Sequence, residues 1–355
     1  MDDNCPGGRF EAGLPSSKDG SLLFLQHMIS KMDNQKGSRI GIVLNGSPLF
    51  NGEAGSGWSN IRKMLLDRNL LDCIVALPKN LFYGTDITTY LWIIDNKRPV
   101  ERLNKVLFIN ASHTEYTKLL QKNLGKKRFE ISEDGAKDIL TMYREYTDAI
   151  RDIVYDKTGE VEQLQVARLL DYDDFRYTTV ATRRPLRLWY ENITEKYAAL
   201  CEEENFDANA KKNAILKTVS ETENINDKRS DSEFFAYLNT NKIKYTATDL
   251  KLLRTMFGTI SEEAPEVHEK PLDTKSDFVT DTNLSDTEKI PQKKDIDEYF
   301  AQEVLPFAPD AWMDRTKDKL GVEFPFTRIF YKYRPLRSVG AILDELKSLD
   351  NSINI

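Results

Sequence analysis

The stretch from Gly37 to Asp95 constrains this chain most: GSRIGIVLNGSPLFNGEAGSGWSNIRKMLLDRNLLDCIVALPKNLFYGTDITTYLWIID. Three apolar runs are set around an interrupted glycine loop and an aromatic loop. Short continuous apolar runs bounded by turn residues read as strands covered on both faces. The layout is that of the second half of an α/β nucleotide-handling domain.

With 355 residues, 40% of them hydrophobic, the chain can fill two cores. Its net charge of −7 excludes a large basic face, so contact with nucleic acid must be local or shared with a basic partner. Cys5, Cys73 and Cys201 are widely spaced and form no CxxC pair, which fits a reducing compartment and gives no structural zinc site. His27, His113 and His268 lack ligand spacing and read as solvated or structural. No leader pattern and no run long enough for a membrane span is present, and we expect a soluble, cytoplasmic protein.

Residues 1–19 read as a loop, and Asp19-Gly20-Ser21 opens a helix from Leu22 to Met32. Leu22, Leu25 and Ile29, with Phe24 and Met28 beside them, predict burial over a wide stripe. Arg39–Leu44 is the first strand. A helix from Ser59, taken as its N-cap, to Arg68 follows, then strands at Asp72–Leu77, Thr88–Ile94 and Lys105–Ile109. Strand, helix, strand with short links implies a parallel, helix-covered sheet. The 77–89 link is too short for a crossover helix, so the third strand is expected antiparallel to the second.

Beyond Ala111 the expected order is a helix at Ser132–Thr147, short strands within 163–189 and charged helices between 190 and 257. An acidic linker or insertion at 259–294 and a helix from Val339 to Leu349 complete it. The expected domains are 1–112, 113–258, 259–294 and 295–355, the last a helical segment for subunit docking.

Gly52–Ser59 has phosphate-loop spacing except that Trp58 occupies the lysine position, which argues against nucleoside triphosphate hydrolysis. Gly55, Ser56 and Gly57 ahead of a helix remain a possible anion loop, beside the favoured reading of a plain connection. Phe82 and Tyr83 fall in a loop after a strand, where ligands of open α/β sheets sit. They either stack on a flipped base or pack beneath the loop, and both readings stay open. Arg183, Arg184, Arg187 and Lys196 beside Trp189 and Tyr190 form one basic-aromatic cluster. Lys332, Arg334 and Arg337 with Phe326, Phe330, Tyr331 and Tyr333 form another. Either suits a nucleic-acid backbone, a protein partner or an internal role. No catalytic triad, carboxylate dyad or metal cluster stands out.

The runs IGIVLNGSPLF, AGSG, IRK and ALPKNLFYGT between Gly41 and Ile94 resemble the modification (methyltransferase) subunit of type I restriction–modification systems. KVLFINAS, DYDDFRYTTVATRRPLRL, IDEYFAQEVLPFAPDAW and FPFTRIFYKYRP follow in the family's order, so the resemblance runs from Arg9 to Pro335.

The resemblance implies an α/β fold: part of an S-adenosylmethionine-dependent, Rossmann-like methyltransferase sheet followed by a mostly helical C-terminal region. It implies adenine-N6 methylation of DNA with S-adenosylmethionine, in partnership with a specificity subunit and a nuclease–translocase restriction subunit. The family's DPACGSG-like cofactor loop and NPPF/Y loop, which it places ahead of this region, are both absent from the chain. No catalytic or cofactor-binding residue is therefore assigned, and the chain alone is expected to bind no cofactor. Of the family's strand order 3-2-1-4-5-7-6, only the 5-7-6 edge is expected, with Ile40–Leu44 an unpaired apolar edge. Asn45, Gly46, Phe82 and Tyr83 are the expected rim toward the target base. Asp86 and Thr88 depart from the family's usual FYGTGIPT, and an acid there would repel a DNA phosphate. The expectation is a truncated modification subunit, inactive alone. Alternatives are half of a split enzyme completed by a separate polypeptide, a non-catalytic assembly module, and an unrelated nucleotide-binding α/β protein.

Overall fold

The computed structural model describes residues 7–154, 161–203, 206–207, 210, 213–333 and 338–353. These divide into two compact units, one of residues 1–177 and 320–355, the other of 178–319.

In the first unit the central strand is β2 (Leu71–Leu77), buried at all seven positions. Successive side chains of a strand alternate between faces, so full burial means that both faces are covered. Ile74 and Ala76 join a core with α1 (Ser21–Ile29) and α3 (Gly57–Asp67). Cys73, Val75 and Leu77 join an opposite core with α4 (Glu133–Glu145). β3 (Thr89–Asp95) lies antiparallel to β2 and β4 (Lys105–Asn110) parallel to it. β1 (Arg39–Leu44) pairs with the other side of β3, antiparallel. The order β1-β3-β2, with its middle strand reversed, is the one expected for strands 5-7-6.

The sheet does not stop there. β8 (Val161–Asp171) pairs with β4 and β7 (Ala149–Val154) with β8, giving the order β1-β3-β2-β4-β8-β7. A division after residue 112 therefore cuts through one sheet. Non-local pairing of half-exposed strands leaves little trace in local periodicity, which is why β7 went unread. β5 (Thr117–Leu124) and β6 (Lys127–Ile131) form a separate hairpin.

Other local expectations need correction. β1 is covered on one face only: Ile40 and Leu44 are buried while Gly41 and Val43 are exposed, as an edge position allows. α1 ends at Ile29, and Phe24 faces solvent at 70% exposure, so its buried stripe is narrow. The cap of α3 is Ser56 rather than Ser59; the Ser56 hydroxyl accepts the Ser59 N–H. A short helix, α2 (Ser47–Phe50), follows β1, too short to show a period.

The second unit carries β9 (Arg176–Arg183, its first two residues in the first unit) and β10 (Leu188–Tyr190). Next come α5 (Ile193–Glu202), α6 (Ala214–Ser220), β11 (Arg229–Ser230), α7 (Asp231–Thr240), α8 (Ala247–Phe257) and β12 (Gly258–Ile260). β13 (Asp286–Pro291), α9 (Ile296–Glu303) and β14 (Trp312–Val322) follow, the last three residues of β14 returning to the first unit. Its core stacks Tyr190 on Phe234 at 4.0 Å, among Leu216, Phe235, Leu253 and Phe257. Residues 259–294, expected as a linker, contribute buried Ala264, Val267 and Ile290, a strand in β13, and bridges such as His268 to Phe278. Their sparse apolar residues sit where they are buried, a pattern that average composition hides. The 295–355 segment is not purely helical either, since β14 runs through it.

The chain ends with α10 (Phe326–Ile329) and α11 (Val339–Ile353), on which Val339, Ile342, Leu343, Leu346 and Leu349 are exposed. Among the described residues no helix is long and apolar enough to cross a membrane, and no cluster of metal-ligating side chains occurs.

Candidate nucleic-acid interface

β1, β2 and β4 run in one direction, so Leu44, Leu77 and Asn110 end at the same rim, where reversed β3 begins. Loops at such carboxyl ends form the crevice that open α/β sheets use for ligands. Asn45 and Gly46 occupy it: the Asn45 carboxamide oxygen accepts the Ser47 N–H at 3.1 Å, and Gly46 is the N-cap residue of α2. A methyl group added at Gly46 would lie 3.5 Å from the Tyr90 ring, so β1's outgoing loop lies against β3.

The Phe82–Tyr83 loop is braced by the β5–β6 hairpin. The Lys126 N–H donates to the Tyr83 carbonyl at 3.0 Å, and the Arg128 N–H to the Asn80 carbonyl at 2.9 Å. The Asn80 carboxamide donates to the Lys126 carbonyl at 3.0 Å. Gly125, at φ +60°, sits against Tyr83 so closely that a Cβ would come 2.9 Å from its carbonyl oxygen; only glycine suits that turn. Leu81 is buried beneath the loop while Tyr83 is 72% exposed, so the tyrosine ring projects outward from a fixed backbone. Asp86 does not stand as a bare charge. Lys126 pairs with it at 3.3 Å and holds its carboxyl below the usual range, offsetting the repulsion expected toward a phosphate.

Beside this loop lies a cleft of about 360 Å³ that sequence reading missed. One wall is aromatic. Buried Phe326 packs edge-on to Tyr90 at 5.2 Å, stacks on Phe108 at 5.0 Å and meets half-buried Phe330 at 4.9 Å. The other wall is polar, from Asn110, Ser112 and His113 just past β4. The Ser112 N–H and hydroxyl donate to the Asn110 carboxamide oxygen at 3.3 and 2.7 Å, which orients the amide NH₂ toward His113 Nε2, 3.4 Å away. Burial pushes the His113 imidazole below its ordinary range and the Tyr90 phenol above its own, so both are neutral near pH 7. The only sequence signal was the aromatic spacing of FPFTRIFYKY.

The glycine loop Gly55-Ser56-Gly57 is arranged for packing. A methyl group at Gly57 would sit 1.9 Å from the Leu14 carbonyl oxygen, and Ser56 already caps the Ser59 N–H. The N-terminal segment thus covers the backbone that an anion or cofactor would need. Packed in this way, the glycine loop offers no open backbone to the S-adenosylmethionine that the resemblance implies, and no chemical step is derived through it.

The Arg183 cluster is likewise committed internally. Arg184 pairs with Asp310 at 2.8 Å, Arg187 with Glu266 and Asp310 at 2.5 and 3.3 Å, and Arg183 with Asp314 at 3.9 Å. Lys196 donates to the Phe257 carbonyl and the Thr259 hydroxyl, both at 2.7 Å. In the second cluster Lys332 pairs with Glu162 at 2.6 Å, Tyr331 and Tyr333 are exposed, and Arg334 and Arg337 lie outside the described residues.

A model of the N-6 DNA methylase family matches residues 2–174, which span every strand of the six-stranded sheet. Over residues 2–174 the chain thus resembles the N-6 DNA methylase family. The chain is also similar, over part of its length, to type I restriction enzyme methylase subunits. The MjaVIII subunit of Methanocaldococcus jannaschii is 32% identical over 136 residues, 38% of this chain and 22% of the relative. The HindI subunit of Haemophilus influenzae is 32% identical over 113 residues, 31% of this chain and 24% of the relative. The solved type I methyltransferase subunit from Streptococcus thermophilus is 25% identical, with a TM-score of 0.36 over 47% of this chain and 30% of that one. The matched segments span 12 to 27% of the length of four curated methylase subunits. The matched residues include the Asn45–Gly46 and Phe82–Tyr83 loops but not the Phe326–Phe330 wall of the cleft.

Proposed function

We propose that this chain is the target-facing part of an adenine-N6 DNA methyltransferase subunit of a type I restriction–modification system, and that alone it does not methylate. The observation that carries the reading is the β1-β3-β2 order with a braced, outward-facing aromatic loop at its rim. An exposed ring on a fixed backbone suits a base removed from the stack, because most of the ordering cost is met in folding. Methyl transfer needs in addition a cofactor loop and an Asn-Pro-Pro loop aligned with it, and the sequence contains neither a DPACGSG-like run nor Asn-Pro-Pro. A segment carrying them would pair at the free edge of β1, where Gly41 and Val43 are exposed. The exposed apolar residues of α11 would dock a specificity subunit, with a restriction subunit joining for cleavage. The alternative of a non-catalytic assembly module uses the same α11 surface but needs no rim.

The test is co-expression with a type I specificity subunit, followed by titration of the co-purified complex with duplex DNA. Wild-type and Phe82→Ala/Tyr83→Ala complexes should assemble equally, and the variant should bind DNA roughly tenfold more weakly, as expected from loss of stacking rings. Equal DNA affinity would remove the rim from the reading and leave the assembly module.

A further inference from the structure

We propose that the cleft between the ends of β2 and β4 and the 326–332 segment is a second base pocket, which takes one unstacked nucleobase of single-stranded DNA. It is separate from the Phe82–Tyr83 loop and rests on the reading of the rim as DNA-facing. Three observations converge. At about 360 Å³ the cleft lies at the small end of ligand sites, roughly 300–1,000 Å³, which suits one nucleotide rather than a helix or a peptide. Its aromatic wall is organised from behind, since Phe326 is held between Tyr90 and Phe108 and leaves half-buried Phe330 at the opening. A base can stack there without disturbing the core.

The opposite wall is polar and uncharged. With its oxygen held by Ser112, Asn110 turns its NH₂ toward Nε2 of His113, which burial keeps neutral, and both side chains line the cleft. Two uncharged hydrogen-bonding side chains opposite an aromatic wall suit the polar edge of a base. They do not supply the charge that would select a free phosphate. Exposed Arg328 and Lys332 lie on the same segment, where a backbone phosphate would pass, and Lys332 would exchange Glu162 for it.

The probe is a single-stranded 12-mer DNA carrying one 2-aminopurine, titrated into the full chain, with the matched duplex as comparison. Stacking in the cleft should quench the 2-aminopurine emission. Phe330→Ala should weaken the affinity read by quenching by about 5- to 150-fold, the range for removing a base-stacking ring, and Asn110→Ala, separately, should weaken it in the same direction. Both variants should bind duplex as wild type does, whereas Phe82→Ala/Tyr83→Ala should show the reverse pattern. Absence of quenching with wild-type protein, or quenching that neither variant alters, would overturn the pocket. Should Phe330→Ala lower the melting temperature, Tyr331→Ala at the exposed neighbour serves in its place. Loss of duplex binding with single-strand quenching intact would sink the duplex reading and leave this pocket supported.

Discussion

Replacing Arg62 by methionine should destabilise the first unit by about 3–5 kcal/mol, the scale of leaving several buried acceptors without their charged donor. Arg62 lies on α3 and is fully buried. Burial pushes its guanidinium down to about 10, so it is protonated at neutral pH, and among the described residues no carboxylate is hydrogen-bonded to it. Its partners are backbone carbonyls: Val322 at 2.6 Å, Asn51 at 2.9 Å, Pro48 at 3.0 Å and Gly52 at 3.4 Å. Five donors in a fixed fork can satisfy several carbonyls at once, which methionine cannot do and lysine does poorly. The side chain thereby joins α3, the C-terminal end of α2 and the end of β14. At about 2–4 °C per kcal/mol for a unit of this size, the melting temperature should fall by roughly 6–20 °C in a calorimetric scan. Arg62→Lys should recover only part of the loss. A shift of a degree or less for Arg62→Met would mean that water reaches those carbonyls.

The second large effect is expected at Asp72, at the start of β2. Its carboxylate, 1% exposed, pairs with Arg98 at 3.1 Å and Arg102 at 3.4 Å and accepts the Tyr143 hydroxyl. Arg98 is buried too and also donates to the Leu71 and Lys105 carbonyls and to the hydroxyls of Tyr172 and Tyr146. Two buried charges are expensive to desolvate, so the pair is weak evidence for net stability, yet removal of one partner strands the other. Asp72→Ala should therefore cost about 3–5 kcal/mol, whereas Asp72→Leu combined with Arg98→Met should lose much less than the two single changes added together. A double-mutant cycle by urea unfolding reads this directly. Additive losses would show that the two side chains act independently.

These two networks mark where sequence reading stopped. β2 was legible because burial on both faces leaves an unbroken apolar run from Cys73 to Leu77, and the reversal of β3 followed from the short 77–89 link. Arg62 looked like one more polar residue on an amphipathic helix, and nothing local says that its acceptors come from residue 322, 260 positions away. The same holds for β8, which begins at Val161 and joins the sheet through β4, a strand that ends at Asn110. At the rim, the loop of Phe82 and Tyr83 could be placed by sequence but not its brace, which depends on Gly125 in a separate hairpin. Asn110 and His113 were unreadable as wall residues because their meaning depends on Phe330 arriving from the far end of the chain. The basic clusters misled for the opposite reason. Adjacent arginines in sequence say nothing of the carboxylates at Asp310 and Glu266 that engage them.

The central claim is that the chain carries the DNA-facing rim of an N6-methylase sheet and not its cofactor site. Titrating S-adenosylmethionine into the purified full chain by calorimetry tests it most directly. The account predicts no saturable heat at micromolar protein. Stoichiometric binding with a micromolar Kd would contradict it.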